Sequence, residues 1–340
     1  MFIPGVPVLV FVLLLLACMV CVIAICENLF RRFAARRIRK IFEDVPPFGV
    51  VPTELSPGAR RLSITTSDGL TLSGSLHPPV DEQTPRGLVI FFPELNGNQF
   101  MATHYCHSLL EHGFTVLSFD FRNQGESESQ DGYTPIHWIT EYEMLDVAGV
   151  LEFIETDEIL STLPLAAFGV SRGGVAALAA ACRYPRIRAV MADSSFGTMG
   201  MMRHFVQRFG RLIIPAWCFT VLPAWHIDST LRLAIRYSEK ERQCRYVHLD
   251  QECFHQDDTV VKLVSGKRDS YVSPNVAKDL ARTFGGEDRL WIVDRAKHNM
   301  ARSVAQDDYD QYVADHFESI ALNVPAPGPQ AVAQHSVAAE

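Results

Sequence analysis

No charged residue occurs between Phe2 and Cys26, and no basic residue precedes Arg31. The first absence leaves an apolar segment, Val8 to Cys26, interrupted only by small residues and cysteines. A helix crosses the hydrocarbon core with about 20 such residues, so the segment is long enough for a single span. The second absence speaks against a cleaved signal peptide, which carries its basic residues ahead of a shorter apolar core. Arg31, Arg32, Arg36, Arg37, Arg39 and Lys40 come directly after the segment. By the positive-inside rule, that asymmetry places the N-terminus outside and the rest of the chain in the cytoplasm.

A basic excess is missing as well. Lys+Arg number 31 against 39 Asp+Glu, the net charge is -8 and the pI is about 5.8. These values speak against a nucleic-acid partner. Cys18, Cys21 and Cys26 lie in the apolar segment, and Cys106, Cys182, Cys218, Cys244 and Cys253 are scattered without metal-binding spacing. Such usage builds neither a disulfide framework nor a metal centre, and it fits reduced, mostly buried thiols. No internal repeat is present.

The basic stretch carries Phe30, Ala34, Ile38, Ile41 and Phe42 at near-helical spacing. It reads either as a helix lying on an anionic membrane surface or as a solvated linker with a stop-transfer cluster. After prolines at 46, 47, 52 and 57, the segments 61–66 and 70–77 flank Ser67-Asp68-Gly69 as a hairpin. Strands are then expected at 87–92, 114–120, 165–170, 187–193, 260–265 and 289–293. Helices are expected at 101–112, 138–155, 173–183, 275–284 and 308–322. Such alternation makes βαβ units and a largely parallel sheet. The expected plan is a transmembrane anchor (1–27), a basic juxtamembrane helix with a Pro-rich linker (28–58), one α/β domain (59–323) and a disordered tail (324–340). Within that domain, 194–259 is rich in large apolar residues and is expected to be a lid-like insertion.

Gly169-Val170-Ser171-Arg172-Gly173 follows the apolar strand and opens an Ala-rich helix. A strand–turn–helix G-x-S-x-G exposes its serine at the carboxyl end of a sheet, which makes Ser171 the candidate nucleophile. A serine hydroxyl needs a base to take its proton. His204, His226, His248 and His255 lie in or near the insertion and His316 in the last helix, leaving His298 after the last strand. Asp269, in the loop after the preceding strand, is the candidate to orient His298, with Asp193 in reserve. The oxyanion needs backbone donors, for which Arg172 N–H and Leu95 N–H are the candidates.

Taken in order, the elbow at 169–174, Asp120-Phe121-Arg122-Asn123-Gln124-Gly125-Glu126-Ser127, Ser265-Gly266-Lys267-Arg268-Asp269 and Lys297-His298 resemble the α/β-hydrolase superfamily. The likeness runs from about Leu62 to Ile320, and within the superfamily it is similar to the Bem46-like and serine-aminopeptidase-like branch. It implies an α/β-hydrolase fold with an eight-stranded, mostly parallel sheet flanked by helices, a triad free of metal and cofactor, and acyl-enzyme chemistry. Two departures stand out. Asn123 takes a position where the family usually has glycine, and Pro93-Glu94 replaces the usual His-Gly before the oxyanion donor. The expected activity is cleavage of an ester, thioester or amide of a hydrophobic, lipid-like acyl substrate by a membrane-anchored serine hydrolase. A non-catalytic tethered scaffold and an acyltransferase using the same triad are the alternatives.

Overall fold

A computed structural model describes residues 6–44, 53–56, 58–80, 84–210, 222–252 and 259–321. Along the chain the main elements begin with α1 (Val6–Glu43), β1 (Arg60–Thr65), β2 (Thr71–His77), β3 (Leu88–Phe92) and β4 (Thr115–Phe119). They continue with α2 (Glu141–Thr156), β5 (Leu165–Val170), α3 (Arg172–Arg183), β6 (Ile187–Asp193), α4 (Thr198–Phe209) and α5 (Ala224–Arg242). The last are β7 (Val260–Gly266), α6 (Pro274–Thr283), β8 (Leu290–Val293) and α7 (Gln306–Ala321). The chain divides into two compact units, one of residues 1–46 with 202–244 and the other of residues 47–201 with 245–340.

The second unit holds an eight-stranded sheet in the order β1-β2-β4-β3-β5-β6-β7-β8. The β1–β2 hairpin and the β2–β4 pair are antiparallel, and every later pair is parallel. Every residue of β3, β4 and β5 is buried. That is why they read as continuous apolar runs, since a parallel sheet is covered on both faces. This is the mostly parallel sheet that the α/β-hydrolase resemblance implied.

Local chemistry sets several boundaries more tightly than periodicity does. Helix α2 starts at Glu141 rather than Trp138, because Thr140 and Glu143 form a reciprocal capping box. The expected helix over 101–112 is two short helices, Ala102–Tyr105 and His107–Glu111, separated at Cys106 by a non-helical backbone.

The first unit is built on α1, in which the apolar segment and the basic stretch form one unbroken helix rather than two elements. Its apolar part is exposed and has a mean hydropathy of 3.0. Further along, Ala35 and Phe42 are buried. There Arg39 pairs with Glu241 of α5, Ser238 Oγ donates to Glu43 at 2.5 Å, and Arg36 lies 5.9 Å from the Tyr237 ring. Leu231, Ala234 and Ile235 are the buried apolar stripe of α5.

The 194–259 insertion is shared between the units. Residues 202–244 fall in the first, whereas the flanking pieces stay with the sheet, where Thr198 Oγ1 donates to the Val247 carbonyl at 3.0 Å. The prolines at 46, 47, 52 and 57, Cys218, Cys253 and the expected disordered tail lie outside the described residues.

Candidate active site

Strand β5 ends at Val170 and α3 begins at Arg172, so one residue makes the whole turn. That residue, Ser171, has φ 52° and ψ -118°, a conformation that costs an L-residue about 1–3 kcal/mol and is held by its surroundings. Its N–H donates to Asp193 O at 2.7 Å, and its carbonyl accepts from Gly174 N–H at 3.0 Å. A Cβ on Gly173 would run into the carbonyl oxygens of Phe92 and Pro93, and one on Gly169 into Gly173. Both glycines are therefore required by close backbone approach. The loop after β3 is thereby pressed against the elbow, as the pairing of Phe92 with Gly169 already dictates.

Ser171 Oγ lies 3.0 Å from His298 Nε2, and His298 Nδ1 lies 2.8 Å from Asp269 Oδ2. The other oxygen of Asp269 accepts the N–H groups of Tyr271 at 2.8 Å and Val272 at 2.9 Å. With acceptors on Asp269 alone, His298 Nδ1 must be the donor there, which leaves Nε2 as acceptor for the serine proton. Loops 127 and 29 residues apart in sequence are thus joined through one imidazole. Ser171 and Asp269 are 6% and 4% exposed, so these bonds face little competition from water.

The reserve carboxylate, Asp193, is fully buried and does something else. Its oxygens accept Ser194 Oγ at 2.9 Å and Tyr309 OH at 2.8 Å, and Ser194 Oγ in turn accepts Asn299 N–H at 3.2 Å. This clasp ties the end of β6 to the residue after His298. Burial pushes the Asp193 carboxyl up to about 6.

Arg172 N–H opens α3 and has no intrahelical acceptor. Among the described residues, no acceptor pairs with Leu95 N–H, in a loop turned by the Gly97 N–H to Glu94 O bond and by Asn96 at φ 64°. Glu94, the unusual residue of this loop, is 5% exposed, and its Oε2 is buried without a hydrogen-bond partner. Burial, with Asp193 nearby, raises its carboxyl to about 7. A proton on Glu94 removes the negative charge that its sequence position threatens to place beside an oxyanion.

Sequence reasoning missed two features. The Arg172 side chain is fully buried, ion-paired to Glu143, which also accepts Tyr133 OH, and the guanidinium lies 5.4 Å from the Phe121 ring centre. The Thr140-x-x-Glu143 capping pattern is the signal that would have placed Glu143 at a helix start. Tyr271 packs edge-on to His298 at 5.1 Å, within an aromatic group containing His137, Trp138 and Phe196. No sequence pattern marks that wall, because its members come from separate loops. Asp120, by contrast, is structural: it accepts the N–H groups of Gln99 and Glu126. Asn123 adopts φ 60° and replaces the expected glycine by donating to the Gln130 and Tyr133 carbonyls.

Residues 83–259 match the family model described as serine aminopeptidase, S33. No curated protein matches the chain. Among solved structures, an esterase of Pyrococcus furiosus, Pf2001, superposes with a TM-score of 0.55 at 19% identity, covering 81% of this chain and 97% of that one. The enol-lactonase of Burkholderia xenovorans LB400 gives a TM-score of 0.50 at 17% identity, covering 76% of this chain and 100% of that one. Both likenesses are of fold.

Proposed function

The chain belongs to the serine aminopeptidase S33 family of α/β-hydrolases, and on that premise we propose that it is a membrane-anchored serine hydrolase acting through an acyl-enzyme on Ser171. The continuous path from Ser171 Oγ through His298 to Asp269, at 3.0 and 2.8 Å, carries the proposal. His298 Nε2 takes the hydroxyl proton as Oγ attacks an ester, thioester or amide carbonyl. The tetrahedral oxyanion forms against the Arg172 and Leu95 N–H groups, and each such donor is worth about 10²–10³ in rate. Asp269 stabilises the imidazolium, which protonates the leaving group. A water activated by the same histidine then releases the acyl group.

The anchor is α1. Its exposed apolar part suits a single span, and the cations at 31–40 favour a cytoplasmic catalytic domain. The helix runs without interruption from the apolar run to Ala35 and Phe42, which are packed within the first unit. A protein tethered to lipid by a hydrocarbon-spanning helix is well placed to draw a hydrophobic acyl substrate from the bilayer.

A fluorophosphonate probe tests the nucleophile. The intact protein is expected to label and Ser171→Ala is not. Equal labelling of both would reject Ser171, and labelling of neither would favour a non-catalytic scaffold. On acyl esters, turnover is expected to rise from acetyl to medium and long chains; a flat profile would remove the hydrophobic-substrate assignment.

A further inference from the structure

Where α1 leaves its uncharged run, it forms one wall of an apolar groove. Phe30, Phe33 and Arg37 of α1 face Met202, Phe205 and Val206 of α4 across a cavity of about 150 Å³. All six belong to the same compact unit. An apolar groove of this volume has room for a small hydrocarbon guest. At about 1.5 Å per residue, Phe30 and Phe33 stand about 6 and 10 Å beyond Cys26, near the headgroup depth of a spanned bilayer. Both rings are about half exposed, at 52% and 53%, whereas Met202 and Phe205 are buried.

The rim is cationic. Arg37 lies 5.4 Å from the Phe33 ring centre, and among the described residues neither Arg37 nor Arg32 has a carboxylate partner. Arg39, two positions on, has two, Glu43 and Glu241. An apolar slot opening at headgroup depth, with an unpaired guanidinium at its edge, matches a molecule with an acyl tail and an anionic head.

We propose that the α1–α4 groove binds part of one acyl chain of an anionic phospholipid from the spanned bilayer, with the net negative charge of its headgroup on Arg37. The inference rests on the reading of α1 as a membrane anchor. It adds a second, lipid-selective attachment that holds the first unit at the membrane surface, and it needs nothing from the catalytic residues.

The test uses the full chain in nanodiscs carrying either phosphatidylserine or phosphatidylcholine with a photoactivatable group on one acyl chain, followed by peptide mapping of the cross-links. Phosphatidylserine is expected to label peptides from 30–42 and 202–206 at least fivefold more than phosphatidylcholine does. Val206→Trp, which fills the groove, and Arg37→Gln, which removes the headgroup partner, are each expected to lower that labelling at least fivefold. Cross-links to residues 10–26 should be the same for both lipids and all variants. Neither substitution touches the catalytic residues, and unchanged tryptic resistance of α5 certifies the fold of the first unit. Labelling of 10–26 without labelling of the groove peptides overturns the groove and leaves the anchor intact. Groove labelling that is equal for the two lipids, or indifferent to Arg37→Gln, overturns the anionic selectivity. Absence of cross-links at 10–26 overturns the anchor itself.

Discussion

Asp193 ends one strand and Asp269 follows the next, and either carboxylate satisfies the chain order of nucleophile, acid and base. Geometry separates them. Asp269 touches His298 Nδ1, while Asp193 is consumed by Ser194 and Tyr309. Asp269→Asn is therefore expected to lower turnover about 10⁴-fold, because the histidine loses the acceptor that fixes its tautomer, with a small effect on the unfolding temperature. Asp193→Ala is expected to do the reverse. Stranding the Tyr309 hydroxyl and Ser194 costs about 1–3 kcal/mol of stability, with a loss of turnover below about tenfold. Steady-state kinetics alongside thermal unfolding of both variants checks the assignment, and a larger kinetic loss for Asp193→Ala would reverse it. Ser171, His298 and Asp269 were legible because chemistry restricts their types and their order. Glu143 and the Tyr271 wall were not, since a buried ion pair and an aromatic cluster can be assembled from any loops that converge.

Elements were legible where period and burial agree. Strands β3, β4 and β5 are buried throughout, and α2 and α7 are long enough to be found to within a few residues. Elements failed where a local break or a distant partner decides. Cys106 interrupts what periodicity reads as one helix, and the basic half of α1 gains its role from α5, almost 200 residues later in sequence (Ser238 and Glu43 are separated by 195). That pairing makes a prediction. Deleting residues 1–46 strips the Leu231, Ala234 and Ile235 stripe of its partner helix and breaks the Arg39–Glu241 and Glu43–Ser238 contacts. Exposed apolar area of this kind is unstable at about 25 cal/mol per Å². Limited trypsinolysis is expected to cut α5 at Arg232, Arg236 or Lys240 at least tenfold faster in the truncated chain than in the full chain, while the sheet unit stays resistant. Equal cleavage rates would show that α5 does not depend on α1.

Across the whole molecule, buried titratable groups oppose one another. Glu94 and Asp193 are raised by burial to about 7 and about 6, from ordinary values of 4.5 and 3.8. His77 and His316 are lowered by burial from 6.5 to about 4. A carboxyl with a raised folded pKa holds its proton in the native state after the unfolded chain has released it. Its contribution to stability is therefore full below the unfolded pKa and is lost as pH rises through the folded one. A histidine with a depressed folded pKa does the opposite, so its stability is present above 6.5 and is lost as pH falls toward 4. Burial raises the Asp146 carboxyl to about 7 as well, so three carboxyls outweigh two histidines, and the stability these groups contribute is expected to fall between about pH 4.5 and 7. Glu94→Gln removes one member without changing shape. Below about pH 4.5 the variant and parent should unfold at the same temperature, since Glu94 is protonated in both states. By pH 8 the variant should be the more stable by about 3 kcal/mol, the value of a shift of this size at about 1.4 kcal/mol per unit. Thermal unfolding of both proteins across this range measures the gap directly. A gap that does not widen with pH would mean that Glu94 is ionised at no cost, and the loop beside Leu95 would then carry a full negative charge at neutral pH.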